Sequence, residues 1–234
     1  MTLHDPDVVR EQYADETRLA TRKRAHELGE GPDARVIVFA AVRDARPRRI
    51  LEVGCGEGEL AERMSRELAA EVVAVDQSER MVSLARARGV DAHVGDTQAL
   101  GFDDETFDCA VAAWMLFHVQ DVDGALAELA RVLRPRGRLV AATNGPDHLA
   151  ELYELIGAAP LELTFSSANA SSILERHFES VERIDAPGWL VFADRQAAQD
   201  YVDSMIPLSG YVVPDVAGPI RARRTPTVFV AEKA

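Results

Sequence analysis

The chain has 234 residues, 47% of them hydrophobic and 28% charged, which suits one domain with a normal core and excludes a disordered chain. Its formal net charge of -13 argues against a phosphate-backbone partner, since such binding rests on basic surfaces. Only Arg221–Arg224 forms a compact basic cluster, too small to reverse the balance, so no nucleic acid is expected.

The N-terminus has no basic and apolar leader pattern. No apolar run approaches the roughly 20 residues that span a bilayer. A cytoplasmic protein without a membrane partner is the expectation. Cys55 and Cys109 lie in a glycine turn and an apolar strand, which suggests neither a disulfide framework nor a metal site.

In chain order, residues 7–28 read as polar and helical, and 34–45 as a second helix that Pro47 ends. A strand at 48–53 follows, then Gly54-Cys55-Gly56-Glu57-Gly58 and a helical pattern from Glu59. Strand and helix then alternate: 71–75 strand, 78–88 helix, 90–94 strand, 106–113 strand, 121–133 helix, 138–143 strand. Near-continuous apolar strands between amphipathic helices predict a doubly wound, mostly parallel, seven-stranded Rossmann-like sheet with helices on both faces. Past 143, helices are expected near 146–157 and 173–177, and strands at 178–184 and 227–231. The stretch 186–225 is long for a link between strands, and reads as a lid, a dimer contact or a plain surface excursion. One domain covers 1–234: a helical cap (1–46), a cofactor-binding core (47–145) and a substrate-side half (146–234).

The glycine turn carries the sharpest chemical signal. A strand turning straight into a helix needs residues without Cβ, for positive φ and for close backbone approach to a ligand. The spacing is G-x-G-x-G, with Glu52 two residues before the first glycine. A dinucleotide turn has a different spacing and cradles a pyrophosphate, which a neighbouring carboxylate would repel. Glu52 suits a cationic ligand instead. Asp76 closes the second strand, where ligands of open α/β sheets collect. It can accept hydrogen bonds from two ribose hydroxyls, or cap the next helix, for which Ser78 is the stronger candidate. Asp96, followed by Thr97, ends the third strand and suits an exocyclic adenine amine or an ordinary turn. Met81 and Leu100 are candidate apolar faces for the adenine, or core.

These motifs resemble the first motif and following strands of class I S-adenosylmethionine-dependent methyltransferases. Phe107–Val119 and Leu133-Arg134-Pro135-Arg136-Gly137 resemble the small-molecule group called type 11, and the likeness spans residues 48–145. It implies that Glu52, Gly54, Cys55, Gly56, Gly58, Asp76, Gln77, Met81, Asp96, Thr97, Ala113 and Trp114 hold S-adenosylmethionine. Family members often carry a small polar residue near Ala112–Ala113 and a second histidine beside His118; alanine and Phe117 stand there instead. An N-terminal Tyr13…Leu19…Arg22 pattern and Thr143-Asn144-Gly145 resemble some bacterial members, which puts Tyr13 and Arg22 over the cofactor. The cofactor's carboxylate would pair with Arg22, for which a solvated helix face is the plain alternative.

His118 and His148 follow strands four and five, at the ligand edge, and are candidate bases; packing is the alternative for the first and a helix surface for the second. Trp114, His118, Asn144, His148 and Trp189 are candidates for the acceptor pocket, with core the alternative for both tryptophans. The expected activity is methyl transfer to oxygen or nitrogen of a small molecule by in-line displacement. Two other readings stand: a non-catalytic S-adenosylmethionine-binding regulatory or assembly protein, and a nicotinamide oxidoreductase. The glycine spacing and the lack of a Tyr-x-x-x-Lys pair count against the last.

Overall fold

The computed structural model describes residues 2–14 and 16–234. Asp5 caps the first helix, Pro6–Gln12 (α1), by accepting the Asp7 amide (3.0 Å), and Pro6 sits at the position where a missing N–H costs nothing. Thr17–Glu27 (α2) is separate, so the single helical run expected over 7–28 is broken after Gln12. Asp33 caps Ala34–Asp44 (α3).

Arg49–Val53 (β1) then leads through the glycine turn into Glu59–Glu67 (α4), followed by Glu71–Asp76 (β2) and Glu79–Ala87 (α5). Ser78 caps α5 with its hydroxyl, which leaves Asp76 free of that duty. Asp91–Val94 (β3), Phe107–Ala113 (β4), Val122–Val132 (α6) and Leu133–Asn144 (β5) complete the alternation. The later elements are Ala150–Ile156 (α7), Ala170–Leu174 (α8), Ser180–Asp185 (β6), Gly188–Phe192 (β7), Arg195–Asp203 (α9), Ile220–Arg224 (β8) and Pro226–Glu232 (β9).

The main sheet has seven strands in the order β3-β2-β1-β4-β5-β9-β6, and only β9 runs antiparallel to its neighbours. Its order reverses between β1 and β4, which places the switch-point crevice at their carboxyl ends. Side chains alternate across the sheet. Leu51, Val53 and Val73 enter one core with Phe107, Leu126 and Phe229, whereas Ile50, Val72 and Ala74 enter the other with Val38, Met64 and Val82. Both faces are buried, which is why the strands read as nearly unbroken apolar runs.

The stretch 186–225 is neither a bare lid nor an irregular excursion. β7 and β8 pair antiparallel, with Leu190 opposite Ala222, and α9 packs beside them. A third core holds Leu190, Phe192, Tyr201 and Val202 together with Leu152 and Tyr153 of α7. The cap is stitched to this unit through buried Gln12. Its Nε2–H donates to the Ser204 carbonyl (2.7 Å), and its Oε1 accepts the Ile206 amide (2.8 Å).

Candidate functional site

A cavity of about 900 Å³ opens at the switch point, between the sheet's carboxyl edge, the α1–α2 cap and the β7–β8 unit. That volume lies within the range of small-molecule and cofactor sites. Of the residues singled out from the sequence, Glu52, Gly54, Cys55, Gly56, Asp76, Gln77, Asp96 and Thr97 line it from the first three strands. Ala113, Trp114, His118, Asn144 and His148 line it from β4, β5 and the loops after them, and Tyr13 and Arg22 from the cap.

The glycine turn divides its labour. Gly54, Gly56 and Gly58 have φ of +67°, +54° and +78°, the left-handed region that favours glycine. A Cβ on Gly58 would lie 2.7 Å from the Ala85 Cβ, so this glycine packs α4 against α5 and does not line the cavity. A Cβ on Gly56 would meet only Leu19, at 3.6 Å, so this residue bares its backbone to the cavity.

Two carboxylates sit beneath the turn. Asp76 Oδ2 accepts the Gly56 amide (2.8 Å) and Oδ1 the Ser78 amide (2.9 Å), which fixes its orientation and leaves further lone pairs toward the cavity. Burial raises its pKa against the pull of those amides. Glu52 is 4% exposed, and its Oε2 has no hydrogen-bond partner. Burial first, and then the charge of Asp76, push its pKa up to about 8. An orphaned buried carboxyl oxygen fits an ammonium donor, and Asp76 fits a pair of hydroxyls; these residues suit an adenosyl amino acid. Asp96 lies at the rim in a turn in which its Oδ1 accepts the Gln98 amide (2.9 Å). The cap covers this end: Lys23 of α2 pairs with Glu57 (2.9 Å) and Glu59 (3.0 Å).

Trp114 holds φ +55° just past β4, an arrangement that costs about 1–3 kcal/mol for a residue with a Cβ. Its amide donates to the Ala142 carbonyl (2.8 Å), which pins the strained backbone against the cavity.

Both histidines reach the cavity, but neither offers a free basic nitrogen. The Nδ1–H of His118 donates to the Leu3 carbonyl (2.8 Å), so Nε2 is the acceptor for the Tyr13 hydroxyl (2.9 Å). Burial lowers the His118 pKa to about 4, and it stays neutral as a tie between core and cap. His148 Nδ1 accepts the Thr225 amide (3.1 Å), so its Nε2 carries the proton and is a donor. Burial, followed by the field of His26, takes its pKa to about 3.

Three expectations need correcting. Met81 is fully buried and, like the buried Leu100, does not line the cavity. Gly58 serves helix packing, as above. Trp189 lies outside the cavity, on β7, where its amide and carbonyl pair with Glu30 and Arg221 stands over its ring (5.3 Å). Conversely, His26, Tyr201 and Arg224 line the cavity and were not anticipated. Spacing held a clue for the first: Leu19, Arg22, Lys23 and His26 fall on one face of α2, and all line the cavity. Cys55 also faces it, but burial raises its thiol pKa, so it is not a reactive thiolate.

Residues 51–141 match the family model described as a methyltransferase domain. A demethylmenaquinone methyltransferase of Renibacterium salmoninarum is 33% identical over 152 residues, 62% of this chain and 64% of that protein. A ubiquinone biosynthesis O-methyltransferase of Parvibaculum lavamentivorans is 33% identical over 148 residues, 61% of this chain and 56% of that protein. Among solved structures, a SAM-dependent methyltransferase of Thermotoga maritima aligns with a TM-score of 0.59 at 20% identity, over 94% of this chain and 98% of that one. The chain thus spans between 33% and 64% of the first curated relatives it matches. The likeness to methyltransferases in sequence covers residues 51–141, and the fold is shared with the Thermotoga protein.

Proposed function

We propose that the protein is an S-adenosylmethionine-dependent methyltransferase that acts on oxygen or nitrogen of a small molecule. One observation carries this reading. A bared glycine turn lies over two acids, the orphaned Glu52 Oε2 and the amide-fixed Asp76, in a cavity that Trp114, Phe117, Leu149, Leu161 and Tyr201 also line. Glu52 takes the ammonium of the cofactor, Asp76 the ribose hydroxyls, and Asp96 the adenine amine. Arg22, whose Nη1 donates to the Ser204 carbonyl (2.6 Å) and which has no carboxylate within ion-pair distance among the described residues, takes the carboxylate.

Bound S-adenosylmethionine supplies an electrophilic methyl group on its sulfonium. The protein's share is to hold the acceptor in line and to exclude water, the work that orientation does in many transfers. The α1–α2 cap serves the second purpose. Leu149, Leu161, Phe117 and Tyr201 form walls against which an acceptor can be oriented. His118 and His148, with tied nitrogens, serve as a cap tie and a hydrogen-bond donor rather than as bases.

That lack of a free base favours one other reading, a protein that binds the cofactor without turnover. Incubation with methyl-labelled S-adenosylmethionine and a panel of small phenols, amines and acids separates the two. Label transferred to any member supports the enzyme; tight binding with no transfer across the panel supports the binder.

A further inference from the structure

Strand β8 carries Arg221, Arg223 and Arg224, and only the last lacks an anion. Arg221 pairs with Glu30 (2.7 Å), and Arg223 with Glu151 (2.8 Å) and Asp147 (3.3 Å). Arg224 is the most buried of them, at 4% exposure, yet no carboxylate lies within ion-pair distance among the described residues. Its guanidinium meets carbonyls only: Nη2 donates to Pro32 (2.8 Å) and Gly31 (3.2 Å), and Nη1 to His26 (3.4 Å), while Nε has no partner. Asp33, whose field reaches it, is bound to Arg35 (2.9 Å) and to the amide that starts α3. Taking a guanidinium out of water without a counter-charge is unfavourable, and carbonyl dipoles offset only part of that.

Arg224 lines the cavity beside two imidazoles. The His26 and His148 rings lie parallel (2°), with centroids 6.0 Å apart. The Thr225 amide occupies His148 Nδ1, which leaves the Nε2–H as an unused donor. No protein group hydrogen-bonds to the His26 ring among the described residues. Burial, joined by the positive field of Arg224 on each ring, keeps both rings neutral. Beside the Asp33–Arg35 pair, the cavity therefore presents one cation without an ion-pair partner among the described residues and unused hydrogen-bonding groups, while Glu52, Asp76 and Asp96 line it from the sheet. A bound zwitterionic amino acid group is matched by Glu52 and Arg22, and Arg224 is still without an anion.

We propose that the methyl acceptor is an apolar, ring-bearing carboxylic acid bound as its anion. Its carboxylate seats against Arg224, the Nε2–H of His148 and His26, and its apolar body lies along Leu149, Leu161 and Tyr201. The proposal rests on the methyltransferase reading above and adds the substrate class. A guanidinium and an imidazole donor distinguish a carboxylate from its neutral isosteres by charge as well as shape.

The test uses the full chain saturated with S-adenosylhomocysteine. It is titrated with phenylacetate, 2-naphthoate and indole-3-acetate, and with the amide of each. At least one acid is expected to bind about tenfold or more tighter than its amide, the size of a lost charge-assisted hydrogen bond. Arg224→Gln is expected to abolish that preference while S-adenosylhomocysteine affinity stays within about twofold. Because Arg224 also ties Gly31 and Pro32, His26→Phe is the second variant; it keeps the ring, removes both nitrogens and is expected to reduce the acid-to-amide ratio. Amides that bind as tightly as their acids, or no acid binding to the loaded protein, would overturn the assignment. Failure of S-adenosylhomocysteine to bind the unmodified protein is a different result, and it sinks the cofactor reading underneath.

Discussion

A buried carboxyl oxygen without a partner is unfavourable unless it stays protonated or a cation arrives, and Glu52 is in that position. Its folded-state pKa of about 8 lies above its ordinary value of 4.5. The sign follows. The folded protein holds a proton that the unfolded chain has released, so this residue's contribution is fully present below about pH 4.5 and is lost as pH rises toward about 8. Ligand-free Glu52→Gln is therefore expected to melt higher than the unmodified protein at about pH 9, with the gap closing near pH 5, as thermal scans would record. At neutral pH, adenosyl-ligand binding should release a proton as Glu52 ionises against the ammonium. Calorimetry in buffers of different ionisation enthalpy reads this directly, and no net release would contradict the pairing.

The neighbouring glycines predict a separation of stability from binding. Gly58→Ala places a Cβ 2.7 Å from Ala85 and strains φ +78°, so a loss of about 1–3 kcal/mol is expected in denaturant unfolding. Gly56→Ala meets only Leu19 at 3.6 Å and should cost less stability, yet weaken adenosyl-ligand affinity more than Gly58→Ala does. Equal effects on binding would contradict the division drawn between them. Asp76→Ala removes the acceptor of two amides and, in the proposed complex, of the ribose hydroxyls. About a tenfold or greater loss of affinity in a folded variant is expected; unchanged affinity would end the ribose assignment.

At the scale of elements, the cap is held by few but well-made bonds. Gln12→Ala leaves the Ile206 amide without its side-chain acceptor, while the Ser204 carbonyl keeps the Arg22 guanidinium. A buried donor left unmatched costs about 1–3 kcal/mol, and the cap should open more often. Faster hydrogen exchange in α1 and α2 than in β1 or β4 is the expected signature; unchanged protection would mean that other contacts hold the cap. The same elements explain what could be read from sequence. Residues 48–143 announce themselves because the strands inside the sheet are buried on both faces and the helices on one, so burial and local pattern agree; the edge strand β3 keeps only Ala92 buried. β7 and β8 were missed because residues 188–192 pair with 220–224 across an intervening helix, and no local pattern encodes such a partner. The break between α1 and α2 went unread because their inward faces meet a cavity rather than a core. Leu19, Arg22, Lys23 and His26 line that cavity, and their mostly polar character resembles that of a solvated helix. His118 lines the cavity, but its partners, Leu3 and Tyr13, lie more than a hundred residues away in sequence, so its tied nitrogens could not be foreseen.

At the scale of the molecule, three cores surround one cavity: two flank the main sheet, and the third lies under the β7–β8 unit. The sheet's switch point supplies the acids, the cap supplies Tyr13, Arg22 and Lys23, and the added unit supplies Tyr201 and Arg224. In a chain with net charge -13, Arg22 and Arg224 turn inward to a cavity that acids and bases line together. Among the described residues, no helix is long and apolar enough to cross a membrane. The central claim is that this cavity binds an adenosyl amino acid. Calorimetric titration of the full chain with S-adenosylmethionine, S-adenosylhomocysteine and NAD tests it most directly. The account predicts about micromolar binding of both adenosyl ligands, equivalent to roughly -8 kcal/mol, and none of NAD. Binding of NAD, or of neither adenosyl ligand, would contradict it.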